Sequence, residues 1–346
     1  MKNNAPQLTI CSVYHSDMSK RILEMNEEFV RKMNPESSWL RFAANNSPQE
    51  SIHPNNPNIK EFPGGKVPSF TPAYGWTGFH DGAASNSLLP HIQTRFVLFL
   101  DYDFFIVRPN WIREVVTYMQ EKNLGILGVP YHPKYWVKFR DFPSKNCLFV
   151  DREKIGNDFY EWNFMPQYTP QDITRMDAVI AHKKIHTMNR TKHPSWPRRM
   201  FENIRKRNYI GQSKDVCYDL YQRYYGNHSV NVECFPPTAV LNDFVIHYYV
   251  SPRWHPLLYH LEKMIPEHWS FVPKRKGYFT FTRFKDLGYF DVLGTGMEEW
   301  WWQEMPLGFH LRGFKERRAK EIGIEFDPEE SIRIIRDTMK NFTYPA

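Results

Sequence analysis

Two aspartates, Asp101 and Asp103, come directly after the apolar run 96–100 (FVLFL) and are separated by one residue. An uncompensated carboxylate is costly to bury, so acids at this place must be solvated, paired or bound to a metal ion. Residues at i and i+2 point the same way in a regular strand, or flank a turn just after it. Either arrangement lets both carboxylates converge on one hard cation, whose other ligands are water and phosphate oxygens. Two solvated acids in an ordinary turn are the alternative.

The spacing of apolar residues predicts the elements that position this pair. After a buried strand over 7–15, helical spacing places Ile22, Met25, Phe29 and Met33 on one face, with Ser16 or Asp17 as the cap. A proline-containing loop is predicted for 47–78. Strands and helices then alternate along the chain, at 38–46 (strand), 78–92 (helix), 94–103 (strand), 109–123 (helix) and 124–131 (strand). This alternation predicts an α/β fold with a mostly parallel sheet and helices on both faces, and such sheets bind ligands beyond the carboxyl ends of their strands.

The composition is that of a globular protein with a basic balance. Among 346 residues, 45 Lys+Arg stand against 38 Asp+Glu, and the net charge of +7 favours an anionic partner such as a nucleotide, a phosphorylated substrate, nucleic acid or anionic lipid. Much of the excess lies in 182–207, which is either a solvated loop and helix or a basic face for a phosphate-bearing acceptor or membrane headgroups.

Several sequence features bear on location. No apolar run approaches the roughly 20 residues that span a bilayer, and the N-terminus has no signal-peptide pattern. The four scattered cysteines are expected to be reduced packing residues: Cys11, Cys147, Cys217 and Cys234. We therefore expect a cytoplasmic protein, with peripheral membrane contact through 182–207 left open.

The segment 78–112 (GFHDGAASNSLLPHIQTRFVLFLDYDFFIVRPNWI) resembles the nucleotide-sugar core of GT-A-fold glycosyltransferases of the large family-two type. Those enzymes carry a helix with a glycine, an alanine and an asparagine, matched by Gly82, Ala83 and Asn86, and then a strand that ends in L-D-x-D. The first strand (LTICSVYHS) and the second (RFAANNS) resemble the same family. The resemblance implies a GT-A, Rossmann-like sheet, a nucleotide-diphosphate sugar as donor, and Mn²⁺ or Mg²⁺ as cofactor.

The resemblance also implies which residues contact the donor and its cation. They are Ser12, Tyr14, Asn45, Asn46, His80, Asn86, Asp101, Tyr102, Asp103 and Arg312. The acid that usually contacts the base is replaced by Ala44, so that Asn45, Asn46 or Ser47 must serve instead. The identity of the nucleotide therefore stays open.

Residues 211–237 resemble the family's stretch E-D-x-x-L-x-x-R-x-x-x-x-G, in which an acid at a helix N-terminus is the general base. The best alignment gives this role to Asp215, because Leu220 then follows in near register, although Lys214 stands where the family often has Glu. Asp219 is the second candidate. A helix cap or an ordinary surface acid is the alternative for both.

In many GT-A enzymes a histidine beyond the base region completes the metal site. His247 ends an apolar, strand-like run and is the first candidate, with a satisfied core histidine as the alternative. His310 is the rival. It lies between Gly308 and Gly313, which suggests a moving segment that closes over the donor, and its neighbours Arg312 and Lys315 could instead bind diphosphate.

The resemblance predicts a catalytic domain over 1–254, with a nucleotide-sugar half (1–110) and an acceptor half (111–254). Residues 255–346 are expected to form a C-terminal helical or irregular extension that serves as a lid or acceptor region. Its Trp300–Trp302 run is either a platform for an acceptor sugar or a packed lid or core edge. The segment from Asp327 predicts a capped, structural helix.

These observations predict a metal-dependent glycosyltransferase that moves a sugar, with inversion, from a nucleotide-diphosphate donor to a glycan, a lipid-linked or another hydroxyl acceptor. A nucleotidyltransferase of similar fold is one alternative, but 8–21 lacks the expected Gly-rich signature with Arg and Lys. A non-enzymatic basic protein that binds nucleic acid or anionic glycan is another. No nucleic acid partner is expected, because the basic residues form no recognisable binding motif and the acids at 101 and 103 would have no task.

Overall fold

The computed structural model describes residues 6–47, 52–66, 76–131, 142–169, 214, 216–227, 229–235, 298–303, 305–311 and 327–341. The strands in these ranges are β1 (Leu8–Tyr14), β2 (Trp39–Asn45), β3 (Ile59–Pro63), β4 (Phe96–Leu100), β5 (Phe104–Ile106), β6 (Leu124–Gly128), β7 (Cys147–Asp151), β8 (Asn231–Cys234), β9 (Glu298–Trp302) and β10 (Met305–His310). The helices are α1 (Asp17–Met33), α2 (Trp76–Leu88), α3 (Trp111–Glu121), α4 (Arg152–Ile155), α5 (Tyr218–Tyr224) and α6 (Pro328–Asn341). Short 3₁₀ segments lie at Leu89–His91 and Gly156–Glu161.

Seven strands form one sheet in the order β3-β2-β1-β4-β7-β6-β8. Strands β1 to β4 pair in parallel, β7 is antiparallel to both of its neighbours, and β6 is parallel to β8. Because the two reversals at β7 cancel, every strand except β7 runs in the same direction. The prediction of an α/β fold with a mostly parallel sheet is confirmed.

The two faces of the sheet carry separate apolar clusters, as the alternation of side chains along a strand requires. In β1, Leu8 and Ile10 pack with residues of α1 and α3, whereas Cys11 and Val13 pack with residues of α2. Helices therefore cover both faces. Continuous apolar strands such as β4 are buried along their whole length.

Helix α1 begins where its sequence predicts. The side chain of Ser16 accepts a hydrogen bond from the backbone of Ser19, and the Ser19 side chain bonds back to the Ser16 backbone, which completes a capping box. The predicted apolar face is buried, from Ile22 to Met33. This face holds α1 against the sheet beside the first strand.

The loop predicted for 47–78 is wrong in part, because this range contains β3. The strand reads IKEFP and forms the edge of the sheet, paired only with β2 in the described part of the chain. Charged residues and proline at an edge prevent pairing with other chains, and they also remove the apolar signal from which a strand is predicted.

A second sheet pairs β5, from the first third of the chain, with strands formed by residues 298–310. Strands β5, β10 and β9 are antiparallel in that order. The pairing requires glycine at 308, since a Cβ atom there would lie 2.5 Å from the Phe105 carbonyl oxygen. The Trp300–Trp302 run lies in β9 and is buried, which agrees with a packed core edge and not with an exposed sugar platform.

The described residues of the predicted C-terminal extension share a core with the first half of the chain. Side chains from β9, β10 and α6 lie in the same apolar cluster as those of α1, β4 and β5. The capped helix from Asp327 is confirmed, since its carboxylate accepts from the Glu329 backbone at 2.9 Å. The domain boundaries themselves stay a prediction. None of the helices in the described ranges has the length and apolar character needed to cross a bilayer.

Candidate metal and nucleotide site

The two aspartates lie in the turn between β4 and β5, at the carboxyl edge of the parallel strands. We call residues 101–103 the aspartate turn. The Asp101 carbonyl accepts from the Phe104 backbone at 3.0 Å, and the Asp101 backbone donates to the Asn146 carbonyl at 3.0 Å. The Asp103 side chain is 11 % exposed and that of Asp101 is 22 % exposed. Both carboxylates are therefore held close to the protein rather than extended into solvent.

His310 completes the group from the second sheet. Strand β10 pairs with β5 so that His310 faces Phe104, and the Leu311 backbone donates to the Asp103 carbonyl at 3.0 Å. The Nε2 atom of His310 lies 2.9 Å from Oδ1 of Asp103 and 3.6 Å from Oδ2 of Asp101. We refer to these three residues as the Asp–Asp–His cluster.

The donor set of this cluster fits a divalent cation. One ligand atom from each of its three residues lies within 4.8 Å of the others, and no other such group occurs in the described ranges. Carboxylate oxygens suit Mg²⁺ and Mn²⁺, and an imidazole nitrogen favours Mn²⁺. Around the cluster, Glu298 contacts His310 and adds negative charge, whereas Lys145 contacts Asp101 and adds one positive charge that it shares with Asp81. The excess negative charge is what a bound cation would neutralise.

Glu298 orients the histidine of the cluster. It is fully buried in β9, directly across from His310 in the β9–β10 pairing, and its Oε2 atom lies 3.2 Å from Nδ1 of His310. Nε2 is the atom that faces the aspartates, and an ionised Glu298 carboxylate, which only accepts, would take a hydrogen bond from Nδ1. Histidines that bind metals are oriented in this way by carboxylates.

Glu298 did not emerge from the sequence. Its signal is the hairpin itself, EEWWWQEMPLGFH, in which an acid and a histidine occupy opposed positions of two adjacent strands. Recognising it requires knowing that 298–302 and 305–310 pair.

Lys145 is a second residue that sequence reasoning missed. It lies just before β7 with a side chain that is 5 % exposed, and its Nζ atom is 2.6 Å from Asp81 and 3.3 Å from Asp101. Burial lowers the pKa of Lys145, but attraction to Asp81 and Asp101 outweighs burial and holds the pKa above its usual value. The amine therefore keeps its positive charge beside the aspartate turn.

Three of the residues predicted to contact the donor, Tyr14, Asn45 and Asn46, lie together at the ends of β1 and β2. The Tyr14 hydroxyl donates to Glu61 at 2.9 Å, and the Asn45 amide donates to the same carboxylate at 3.2 Å. The Asn46 backbone donates to the Tyr14 carbonyl at 2.8 Å. Burial, and then the bond to Glu61, raises the pKa of Tyr14. Glu61 thus fixes this group of side chains, although the loop prediction for 47–78 gave it no role.

Ser12 is placed differently. Its side chain is 1 % exposed and hydrogen-bonds only inside the protein, to Arg41 and to the Leu100 carbonyl. The hydroxyl therefore lies behind the aspartate turn and does not face solvent from which a nucleotide would approach.

The other predicted contacts divide between the site and the scaffold. Tyr102 is half-buried against His15, and burial, followed by the charges of Asp103 and Asp101, holds its pKa well above the usual value. His80 lies on α2, and burial lowers its pKa. The Asn86 side chain donates to the Asn163 side chain at 3.0 Å and accepts from the Phe164 backbone at 2.8 Å. Asn86 therefore holds residues 163–164 against α2.

Three predicted residues, Asp215, His247 and Arg312, lie outside the described residues, and their roles stay predictions. Asp219 lies in the first turn of α5, is 9 % exposed, and accepts from Arg223 at 2.9 Å and from the Asn163 backbone at 3.1 Å. Its carboxylate is therefore held by an ion pair within the protein. As a general base, Asp219 also stays a prediction.

Comparison with solved structures gives glycosyltransferases. They include a mannosyltransferase from Pyrobaculum calidifontis in complex with GDP-Man and Mn²⁺ (10 % identity, 51 % of this chain and 53 % of that chain, TM-score 0.34). TarS of S. aureus in complex with UDP-GlcNAc (14 %, 50 % and 53 %, 0.33) and GlyE of Streptococcus pneumoniae (9 %, 99 % and 66 %, 0.36) are two more. This chain spans about half the length of the first two. TM-scores of this size do not decide what the chain binds or transfers.

No family model matches the sequence, and no curated protein matches it.

Proposed function

We propose that this protein is a metal-dependent glycosyltransferase that uses a nucleotide-diphosphate sugar. The observation that carries the proposal is the Asp–Asp–His cluster at the carboxyl edge of a mostly parallel sheet, the edge at which such sheets bind ligands. Asn45, Asn46 and Ser47, half-buried at the end of β2, lie at the same edge and support a place for the nucleoside.

The charges around the cluster suit a leaving group that carries diphosphate. Asp101, Asp103 and His310 would hold the cation, with Mn²⁺ favoured over Mg²⁺ by the imidazole ligand. The bound cation would supply positive charge, as a Lewis acid, against the departing diphosphate. Lys145 holds a further positive charge beside Asp101.

The transfer itself requires a base. The Asp215 carboxylate would take the proton from an acceptor hydroxyl while that oxygen forms a bond to the anomeric carbon. The bond from this carbon to the diphosphate oxygen breaks, and the nucleoside diphosphate leaves with the electron pair. This single displacement inverts the anomeric centre, and a positioned base contributes about 10²–10⁴-fold to its rate. Asp219 is the second candidate for the base.

The acceptor is proposed to be a glycan, a lipid-linked sugar or another hydroxyl compound. The basic segment 182–207 is suited to anionic headgroups, and we propose a cytoplasmic enzyme that contacts the membrane at its surface.

Nucleotide binding with and without Mn²⁺ tests the proposal. UDP, GDP, dTDP and CMP are screened by thermal shift, and one of them should stabilise the wild type only when Mn²⁺ is present, by about 2.7 kcal/mol at 100 times its Kd. Asp103→Asn should lose this stabilisation. Asp337→Asn, on the exposed face of α6, is the matched control and should keep it.

The enzyme is then assayed with sugar nucleotides that carry the base identified in this screen. Mn²⁺-stimulated release of the nucleoside diphosphate supports glycosyl transfer. Release of pyrophosphate from the corresponding nucleoside triphosphate supports the nucleotidyltransferase. Absence of any Mn²⁺-dependent binding in the wild type would refute both.

A further inference from the structure

An arginine is buried directly behind the aspartate turn. Arg41 lies in β2 with 1 % of its surface exposed, which is rare for arginine unless it is paired. Burial lowers the pKa of Arg41 to about 10, and the nearby Glu27 carboxylate opposes this effect. The guanidinium therefore keeps its charge at neutral pH. Glu27 is itself fully buried and accepts from Arg31 at 2.6 Å.

Two hydrogen-bonded chains lead from the guanidinium to the backbone on either side of the aspartate turn. On one side, Nη2 of Arg41 donates to the Ser12 hydroxyl at 2.8 Å, and this hydroxyl donates to the Leu100 carbonyl at 2.5 Å. On the other side, Nη1 donates to Asn26 Oδ1 at 3.1 Å, and the Asn26 amide donates to the Phe104 carbonyl at 2.7 Å. Leu100 is the last residue of β4, and Phe104 is the first of β5.

Stability alone does not explain this arrangement. Replacing a buried charge together with its polar partners by apolar side chains of similar volume is often neutral or stabilising, because the charged groups lose their hydration on burial. In the sheet Arg41 stands between Ile10 of β1 and Ile59 of β3, both buried, so an apolar side chain at 41 would also have apolar neighbours. What an apolar side chain cannot do is donate to the Ser12 hydroxyl and the Asn26 amide oxygen at once, and so connect the two side chains that bond the Leu100 and Phe104 carbonyls.

We propose that Arg41, acting through Ser12 and Asn26, is a positioning residue that fixes the two ends of the aspartate turn and thereby the geometry of the cation site. The inference rests on the cation site of the proposed function. With both carbonyls fixed, the Asp101 and Asp103 side chains leave the backbone at a set separation. Shifts of about 1 Å at such groups are enough to weaken a preorganised site strongly.

The test is Mn²⁺ titration by calorimetry of the full-length protein, with the melting temperature measured in parallel. Arg41→Met removes the fork but keeps an unbranched apolar chain, and the Kd for Mn²⁺ should rise about 10–100-fold, the usual effect of losing a residue that orients metal ligands. Ser12→Ala breaks one chain only and should raise the Kd by less. It also keeps the test open if Arg41→Met does not fold.

Thr9→Val is the matched control. Thr9 lies on β1, three residues before Ser12, and is equally buried. Its hydroxyl shares a hydrogen bond of 2.7 Å with that of Thr94, which lies just before β4, at the end of these strands away from the aspartate turn. It should lower the melting temperature without changing the Kd for Mn²⁺. Wild-type affinity in both Arg41→Met and Ser12→Ala, or an equal loss in Thr9→Val, would overturn the inference. If the wild type binds no Mn²⁺, the proposed function itself has failed.

Discussion

Glu298→Gln tests whether Glu298 orients His310 so that its Nε2 atom can bind a cation together with Asp101 and Asp103. The substitution keeps size and shape but replaces the carboxylate that accepts from Nδ1 of His310. The glutamine oxygen can still accept from Nδ1, so the loss is the difference between a hydrogen bond to a charged group, about 1.5–3 kcal/mol, and a neutral one, about 0.5–1.5 kcal/mol. At about 1.4 kcal/mol per decade, a difference of about 1–1.5 kcal/mol is about 5–12-fold in affinity. Because the contact is 3.2 Å long, at the upper end of the usual range, we expect a rise in the Kd for Mn²⁺ of about fivefold.

The assay is calorimetric titration of Mn²⁺ into three variants. His310→Ala removes the ligand itself and should lose more affinity than Glu298→Gln. Glu233→Gln is the matched control, since Glu233 accepts from the Tyr118 hydroxyl at 2.7 Å in β8, at the far edge of the sheet. Unchanged affinity in Glu298→Gln, or an equal loss in Glu233→Gln, would refute the assigned orientation.

Two further predictions concern charge and proton transfer. Lys145→Met removes the ammonium group that contacts Asp81 and Asp101. The rate of donor turnover, measured as initial rates, should fall by at least tenfold, whereas the affinity for Mn²⁺, measured by calorimetry, should be unchanged or increased. Weaker Mn²⁺ binding would contradict the reasoning. Asp215→Asn should leave donor binding intact and reduce transfer by two or more decades in single-turnover assays. If Asp219→Asn does this and Asp215→Asn does not, the base lies one helical turn further on.

Much of the first half of the chain could be predicted because its signals are local. The period of α1, the continuous apolar run of β4 and the D-x-D that follows it are each contained within a few residues. Parallel strands with helices between them then leave few ways to assemble the sheet. The place of Asp101 and Asp103 at its carboxyl edge follows from this assembly.

The buried arginine could not be predicted from the same kind of pattern. In β2 the apolar Leu40 is 39 % exposed, whereas its charged neighbour Arg41 is buried. Hydrophobic patterning therefore predicts that Leu40 is buried and Arg41 exposed, the reverse of what the structure has. The burial of Arg41 is compensated by Ser12 and Asn26, which accept hydrogen bonds from it, and by the nearby Glu27 carboxylate, and these groups meet it only in the folded chain.

The histidine shows the same limit at longer range. His310 was predicted to lie in a moving segment, because it stands between two glycines, but it ends strand β10 (Met305–His310), which is buried from Pro306 onward. Gly308 is there for the close approach of β10 to β5, not for motion. Since β5 begins directly after Asp103, this pairing is what brings an imidazole to the aspartates. Residues 298–311, although assigned by sequence to an extension, thus supply both the third residue of the Asp–Asp–His cluster and the carboxylate that contacts its imidazole.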